Sequence, residues 1–242
     1  MSKYHSKITN RSELKSRSGS AIHFPVGFCD LSAKIISRCS FLQNQIQRVI
    51  YITHGPEILS AKKTLTDFPN PKSRMDFLTT FPYSDADPVV SAVFDYTKSI
   101  FLDIYELRNI LAHEDWMCSD DYSDAILFSS INESARLMMA SGKLLHIEEA
   151  TAQETYNSII RYIQNIKIVT CKNLHEALKD ADLCAWMLMH ITNVIEEKDP
   201  VKKDEARRAF FVFRGTSHLF DGAGISKEKV HIQRSSSKTI RR

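Results

Sequence analysis

Arg108, Asn109 and His113 stand in the run Glu106-Leu107-Arg108-Asn109-Ile110-Leu111-Ala112-His113-Glu114-Asp115-Trp116. Each residue type has a use in phosphate chemistry. A guanidinium stays charged throughout the physiological range and can grip a phosphate with two parallel N–H bonds. An imidazole is intrinsically suited to moving protons near neutrality. A carboxamide can orient the ring or donate to a phosphate oxygen. Residues four apart on a helix are surface neighbours, so Asn109 and His113 meet if this run is helical. Arg108 falls one turn after Ile104 and one turn before Leu111, in or beside an apolar stripe. A charge there is costly without a partner or a purpose. Two plainer uses compete: Arg108 pairs with Asp103 or Asp115, and His113 satisfies carbonyls at a helix end.

The surrounding pattern supplies the helix. Asp87 as N-cap with Pro88 at the first helical position is a start signal. From there Val90, Val93, Thr97, Ile100, Ile104, Leu107 and Leu111 alternate at spacings of three and four, which predicts a helix to about His113. A second long helix is predicted from Asp30 as N-cap to about His54, with Gly55-Pro56 as its stop. A third runs from Asn173 to Glu196 and ends before Asp199-Pro200. Shorter helices are predicted over 56–66, around Met75, Leu78 and Phe81, over 152–168 and over 202–212. Residues 67–71 and 82–88 read as breaks. After Trp116 the pattern changes: a polar loop at Asp120–Asp124 leads to candidate strands at Ala125–Ser129 and Lys143–Ile147, a small hairpin, with a helix at 134–140 as the alternative. Amphipathic helices of this length bury their stripes on one another, so the fold class is mainly α, a helical bundle with a small β-hairpin insert. The expected organisation is a flexible basic segment over 1–23, a helical domain over 24–198, a helical extension over 199–225 and a flexible basic tail over 226–242.

Composition narrows the class. Of 242 residues 43% are hydrophobic, enough for a sizeable core, and only seven Gly and seven Pro argue against an all-β fold of many tight turns. The net charge of +3 permits a nucleic-acid partner without demanding one. Five cysteines without a CxxC pair exclude a disulfide framework or zinc knuckle and fit reduced thiols. Neither HExxH nor another ligand-spaced set is present, so no metal and no cofactor is expected. No apolar run approaches a membrane span, and the N-terminus lacks a signal core, which reads as a cytoplasmic chain without a membrane partner.

Arg108 followed by a polar residue, three more residues and then a histidine resembles the R-x(4–6)-H signature of the HEPN superfamily. Leu107-Arg108-Asn109-Ile110-Leu111-Ala112-His113 followed by Trp116 is similar to its "LRN-xx-AH" form. With a helix before the motif, a strand-bearing insert after it and a late closing helix, the resemblance covers roughly residues 30–198. It implies a metal-independent endoribonuclease acting on RNA as a homodimer, with two motifs facing one cleft and Arg108, Asn109 and His113 as catalytic residues. It also implies a toxin or defence role, with an antitoxin or regulatory protein as possible partner. The alternative is a binding or dimerisation module of the same fold without turnover. A nucleotide-binding regulatory domain is a third reading, which no Gly-rich phosphate loop supports. The sequence departs from many relatives at Glu114, where they carry Gly. An acidic side chain beside the histidine repels phosphate.

Other residues have plainer uses. Trp116 could stack on a base, but anchoring the loop after the helix is the preferred reading. Arg207, Arg208 and Arg214 interleave with Phe210, Phe211 and Phe213, a strip that could guide single-stranded RNA. Docking of those aromatics on the core is the preferred account. His175, His190 and Cys184 read as core or surface residues rather than ligands, and Trp186, Met187 and Met189 as packing residues.

Overall fold

A computed structural model of the chain describes residues 3–7, 24–80, 87–119, 122–143 and 149–220. The expected tail over 226–242, most of the 1–23 segment, Phe81, the break at 82–86 and residues 144–147 of the second candidate strand lie outside the described residues. The fold is mainly helical with a small antiparallel sheet. Its helices are α1 (Phe28–His54), α2 (Ile58–Asp67), α3 (Pro71–Thr80), α4 (Pro88–His113), α5 (Ile131–Lys143), α6 (Glu149–Asn165), α7 (Cys171–Glu196) and α8 (Pro200–Val212), followed by a 3-10 turn at Ser217–Phe220. The strands are β1 (Ser6–Lys7), β2 (Asp115–Met117), β3 (Ala125–Ser129) and β4 (Lys167–Thr170), in the order β1-β4-β3-β2. No described helix is long and apolar enough to cross a membrane.

The long helices follow the apolar spacing. Every residue of the α4 stripe from Val90 to Leu111 is buried, as are Leu31, Ile35, Cys39, Leu42, Ile46 and Val49, spaced three and four apart along α1. On α7 Leu178 and Ile195 are only half-buried. The start of α4 is built as its sequence implies: the Asp87 carboxylate accepts from the backbone N–H groups of Val89 and Val90 at 3.2 and 3.3 Å. The start of α1 differs. The helix begins at Phe28, and Asp30 lies inside the first turn, paired with Lys34 at 2.7 Å instead of capping.

The sheet corrects the expected hairpin. β3 pairs with β2 and with β4, while Lys143 lies in helix α5, so its partners are not the 143–147 segment. β3 is buried along its whole length, which is why it reads as the apolar run Ala-Ile-Leu-Phe, closed by Ser129, without alternation. On one face Ala125 and Leu127 pack with Ile166 and Ile168. On the other, Phe128 meets Trp116 at 5.3 Å and Phe28 at 6.4 Å between ring centres. The helix predicted to reach 168 stops at Asn165, and Lys167–Thr170 becomes strand. α7 starts two residues earlier than predicted. Asn173 Oδ1 accepts from the Thr170 N–H at 3.0 Å and Thr170 Oγ1 accepts from the Asn173 N–H at 3.2 Å, the reciprocal bonding of a capping box with Asn in place of Glu.

Residues 3–7 were expected in the flexible segment and are instead packed. β1 pairs with β4, Tyr4 is fully buried, and Lys3 and Tyr4 both bond to Asp180. The chain divides into two compact units, one of Met1–Cys39 with Asp103–Ala181 and one of Ser40–Leu102 with Asp182–Arg242. This division crosses the expected 24–198 domain instead of following its ends. The first unit holds the sheet, α5, α6 and the Arg108–His113 run. The second holds α2, α3 and α8.

Candidate functional site

Arg108, Asn109 and His113 occupy the last turns of α4, and the structure brings all three together. Arg108 Nη1 donates to Asn109 Oδ1 at 3.1 Å and meets His113 Nε2 at 3.0 Å. A guanidinium nitrogen can only donate, so Nε2 accepts in this arrangement and the ring proton sits on Nδ1. Arg108 and Asn109 are half-buried and His113 is exposed.

Among the described residues Arg108 is not locked in an ion pair. Among the described residues no carboxylate bridges to it, and neither Asp103 nor Asp115 does so. Its Nε and Nη2 have no protein partner there. Arg108 also lies near Cys39, which is fully buried. Burial pushes the Cys39 thiol up to about 12, against the pull of the Arg108 charge. That thiol is a neutral, inert wall behind the arginine.

Asn109, His113 and Glu114, with Ser130 and Asn132 at the start of α5 and Lys167 at the start of β4, line a cleft of about 490 Å³. Arg108 is not among its lining residues. It reaches the cleft through its bonds to Asn109 and His113. The start of α5 is fixed to the sheet: Ser134 Oγ and Ser129 Oγ lie 2.8 Å apart, and the Tyr162 hydroxyl donates to Ser129 Oγ at 3.2 Å. The positive end of the α5 dipole thus meets the cleft wall. Glu106 is also on this wall, one turn before Asn109, and its carboxylate meets His5 Nε2 at 3.1 Å.

Glu114 is placed differently from the expectation of bare repulsion. Its N–H closes the last turn of α4 on Ile110 O at 3.1 Å. Its Oε1 accepts from Lys167 Nζ, so the acidic charge beside His113 is matched by an ammonium. Lys167, Ser130, Asn132 and His5 carry no motif that relates them to Arg108. Strand pairing of β4 with β3 and β1 delivers Lys167, a long-range event that no local spacing records.

The remaining candidates take structural places. Trp116 Nε1 donates to Leu111 O at 3.1 Å and its ring packs edge-on against Phe24, Phe28 and Phe128, so it anchors the turn after α4. His175 Nδ1 meets Cys171 O within its own helix at 2.9 Å. In the other unit, Trp186 packs on His190, Phe210 and Phe213, and Cys184 donates to Thr97 O. Arg207 is held by Asp87 and Arg208 by Asp204, and Phe210 is fully buried. The terminal helix therefore docks its aromatics, as preferred from the sequence. Among the described residues no three His, Cys, Asp or Glu side chains are grouped to hold a metal ion. No family model matches this chain, and no curated protein or solved structure compared with it matches.

Proposed function

We propose that this chain is a HEPN-like endoribonuclease that cleaves RNA by attack of a ribose 2′-hydroxyl, with Arg108 and His113 as its working pair. The observation that carries this reading is the Arg108–His113 contact at 3.0 Å beside an open cleft, with Arg108 free of any ion pair among the described residues. A structural arginine this close to an apolar stripe would ordinarily be neutralised by a carboxylate. Here its partners are an imidazole and a carboxamide, neither of them a carboxylate, which leaves the positive charge available to an anion.

The chemistry follows from those atoms. A phosphodiester drawn to Arg108 Nε and Nη2 is held by a charge that does not titrate. His113 Nε2 leaves the guanidinium and takes the proton of the 2′-hydroxyl. The 2′-oxygen bonds to phosphorus, the bond from phosphorus to the 5′-oxygen breaks, and the 5′-oxygen takes up a proton. The products are a 2′,3′-cyclic phosphate and a 5′-hydroxyl, with no oxidant or co-reactant. Asn109 accepts from Arg108 and faces the cleft, which suits it to hold the arginine in place. One histidine serves as base or acid at a given moment, and the reaction needs both. A second copy of the chain facing the first would supply the other, which is the role of the homodimer in this reading. Lys167 supports the reading by offsetting Glu114.

The test is incubation of the purified protein with RNA in EDTA beside Arg108→Ala and His113→Ala. The reading expects cleavage by the wild type, and loss of at least about 100-fold in each variant, the usual worth of one proton-transfer group or one transition-state cation. Cleavage that persists in both folded variants would sink the assignment. RNA binding without cleavage would favour the non-catalytic module. The toxin or defence setting, with a protein antitoxin, belongs to the same proposal and follows only if the cleavage is found.

A further inference from the structure

Ile131 and Asn132 open α5 and line the same cleft as His113. Both are exposed, Ile131 to 57%, and neither half of the Asn132 carboxamide has a partner among the described residues. The turn that carries them is fixed: the Ser134 N–H donates to Ser130 O at 3.0 Å, and the Ser134 hydroxyl bonds to Ser129 of β3. Glu106 reaches the cleft from α4 with a side chain 50% exposed. Its Oε1 meets His5 Nε2 at 3.1 Å, and its Oε2 has no partner among the described residues. The cations lie elsewhere: Lys167 is engaged by Glu114, and Arg108 reaches the cleft by way of Asn109 and His113. A phosphate is therefore repelled at Glu106, while a neutral group with N–H donors is favoured there. An accessible apolar side chain beside a free carboxamide and a carboxylate acceptor is what an unstacked nucleobase needs, a seat for its face and partners for its edge.

The acceptors choose among the bases. Adenine and cytosine carry an amine beside a ring nitrogen, and a carboxamide bonds to both at once, accepting from the amine and donating to the ring. The second hydrogen of the same amine suits Glu106. Guanine and uracil carry a carbonyl oxygen at that position, which a carboxylate repels. We propose that Ile131 seats a base beside the phosphate held at Arg108 while Asn132 and Glu106 read its edge, so that the cleft prefers an amino base, adenine or cytosine, to a keto base. This inference rests on RNA as the ligand of the cleft, but it concerns the choice of base and does not need turnover.

The experiment measures binding of short fluorescent RNA strands to the full chain carrying His113→Ala, which disables cleavage. Each strand is uracil throughout except for one central base, which is adenine, cytosine, guanine or uracil. A fifth strand carries purine at the centre, which is adenine without its amine. The parent should bind the adenine and cytosine strands on the order of tenfold more tightly than the guanine and uracil strands, the worth of one bidentate base contact. The purine strand should fall to the level of uracil, a comparison that needs no protein variant beyond the parent. Adding Glu106→Gln should bring the five strands to within about twofold, because an amide meets amine and carbonyl alike. Adding Asn132→Ala should weaken the adenine and cytosine strands selectively, and adding Ile131→Ala should weaken all five alike. The three side chains are exposed, so these variants keep the fold, which matched melting temperatures check. Equal binding of the five strands by the parent, undiminished binding of purine, or a preference that survives in folded Glu106 and Asn132 variants overturns the inference and leaves the cleavage proposal to its own assay. A preference for guanine, whose neighbouring N–H groups would both face Glu106, also overturns it. Failure of the parent to bind any strand removes this inference together with RNA as the ligand.

Discussion

Removing Lys167 should destabilise the protein by much more than loss of an exposed ion pair would. The Lys167 and Glu114 side chains are 23% and 16% exposed, so they sit between two limits. A fully exposed pair contributes about 0–1 kcal/mol. Breaking a fully buried one costs about 3–5 kcal/mol, chiefly by stranding the surviving charge. Glu114 is close to the second limit, because its Oε2 already has no partner among the described residues and Lys167→Ala would leave both oxygens bare. Lys167→Ala should then cost about 2 kcal/mol, a fall of roughly 4–8 °C in Tm for a chain of this size. Glu114→Gln, which keeps the shape and removes the charge, should cost less, about 1 kcal/mol. The double variant should cost less than the sum of the two by about 1 kcal/mol, since the stranded charge is gone. Thermal and urea denaturation of the four proteins measures this cycle. High salt should change the coupling little, because a partly buried pair is poorly screened. A Lys167→Ala shift of under about 1 °C, or strict additivity, would refute the picture of a shielded pair tying the end of α4 to β4.

Other outcomes are equally specific. Arg207→Ala should cost about 2–4 kcal/mol, because it strands the buried Asp87 carboxylate that caps α4; a urea midpoint within error of wild type would contradict this. Cys39 should resist alkylation at pH 8 while the exposed Cys29 reacts, as read by mass mapping. Its thiol is raised from 9.0 to about 12 in the folded protein, so the stability of keeping it neutral is complete below pH 9 and is lost as pH rises from 9 towards 12. A denaturation midpoint that stays flat across that window would argue against it. Trp116→Phe keeps the ring packing and loses the bond to Leu111 O, for about 1 kcal/mol; no loss in Tm would show that packing alone holds the turn.

What could be read in advance follows the range of the interactions involved. The α4 helix was legible because its signals are local: Asp87-Pro88 at one end and an apolar stripe at 3.6-residue spacing. The same spacing put Arg108, Asn109 and His113 on neighbouring surface, and the structure joins them by hydrogen bonds. β3 was legible as a short apolar run, but its partners were not. A strand buried on both faces carries no alternation to fix its register, and Lys143–Ile147 was read as its partner. Residues 166–168 read as the end of the helix expected over 152–168. Tertiary pairing with β3 overrides it. Thr170 was missed as a cap because its reciprocal partner is Asn173 and not Glu or Gln. β1 is two residues long, and the burial of Tyr4 against a basic, Ser-rich context leaves no periodicity to detect. The same limitation hid Lys167, which reaches Glu114 from 53 positions away.

The most direct test of the ribonuclease reading is the chemistry of the cut ends. An RNA oligonucleotide would be incubated with wild-type protein in EDTA, its cleavage site mapped, and the strand then remade with a single 2′-deoxy substitution on the 5′ side of the cut. Attack by the 2′-hydroxyl predicts a 2′,3′-cyclic phosphate and a 5′-hydroxyl from the first strand and no cut at that position in the second. Undiminished cleavage of the substituted strand, or a 5′-phosphate product, would contradict it.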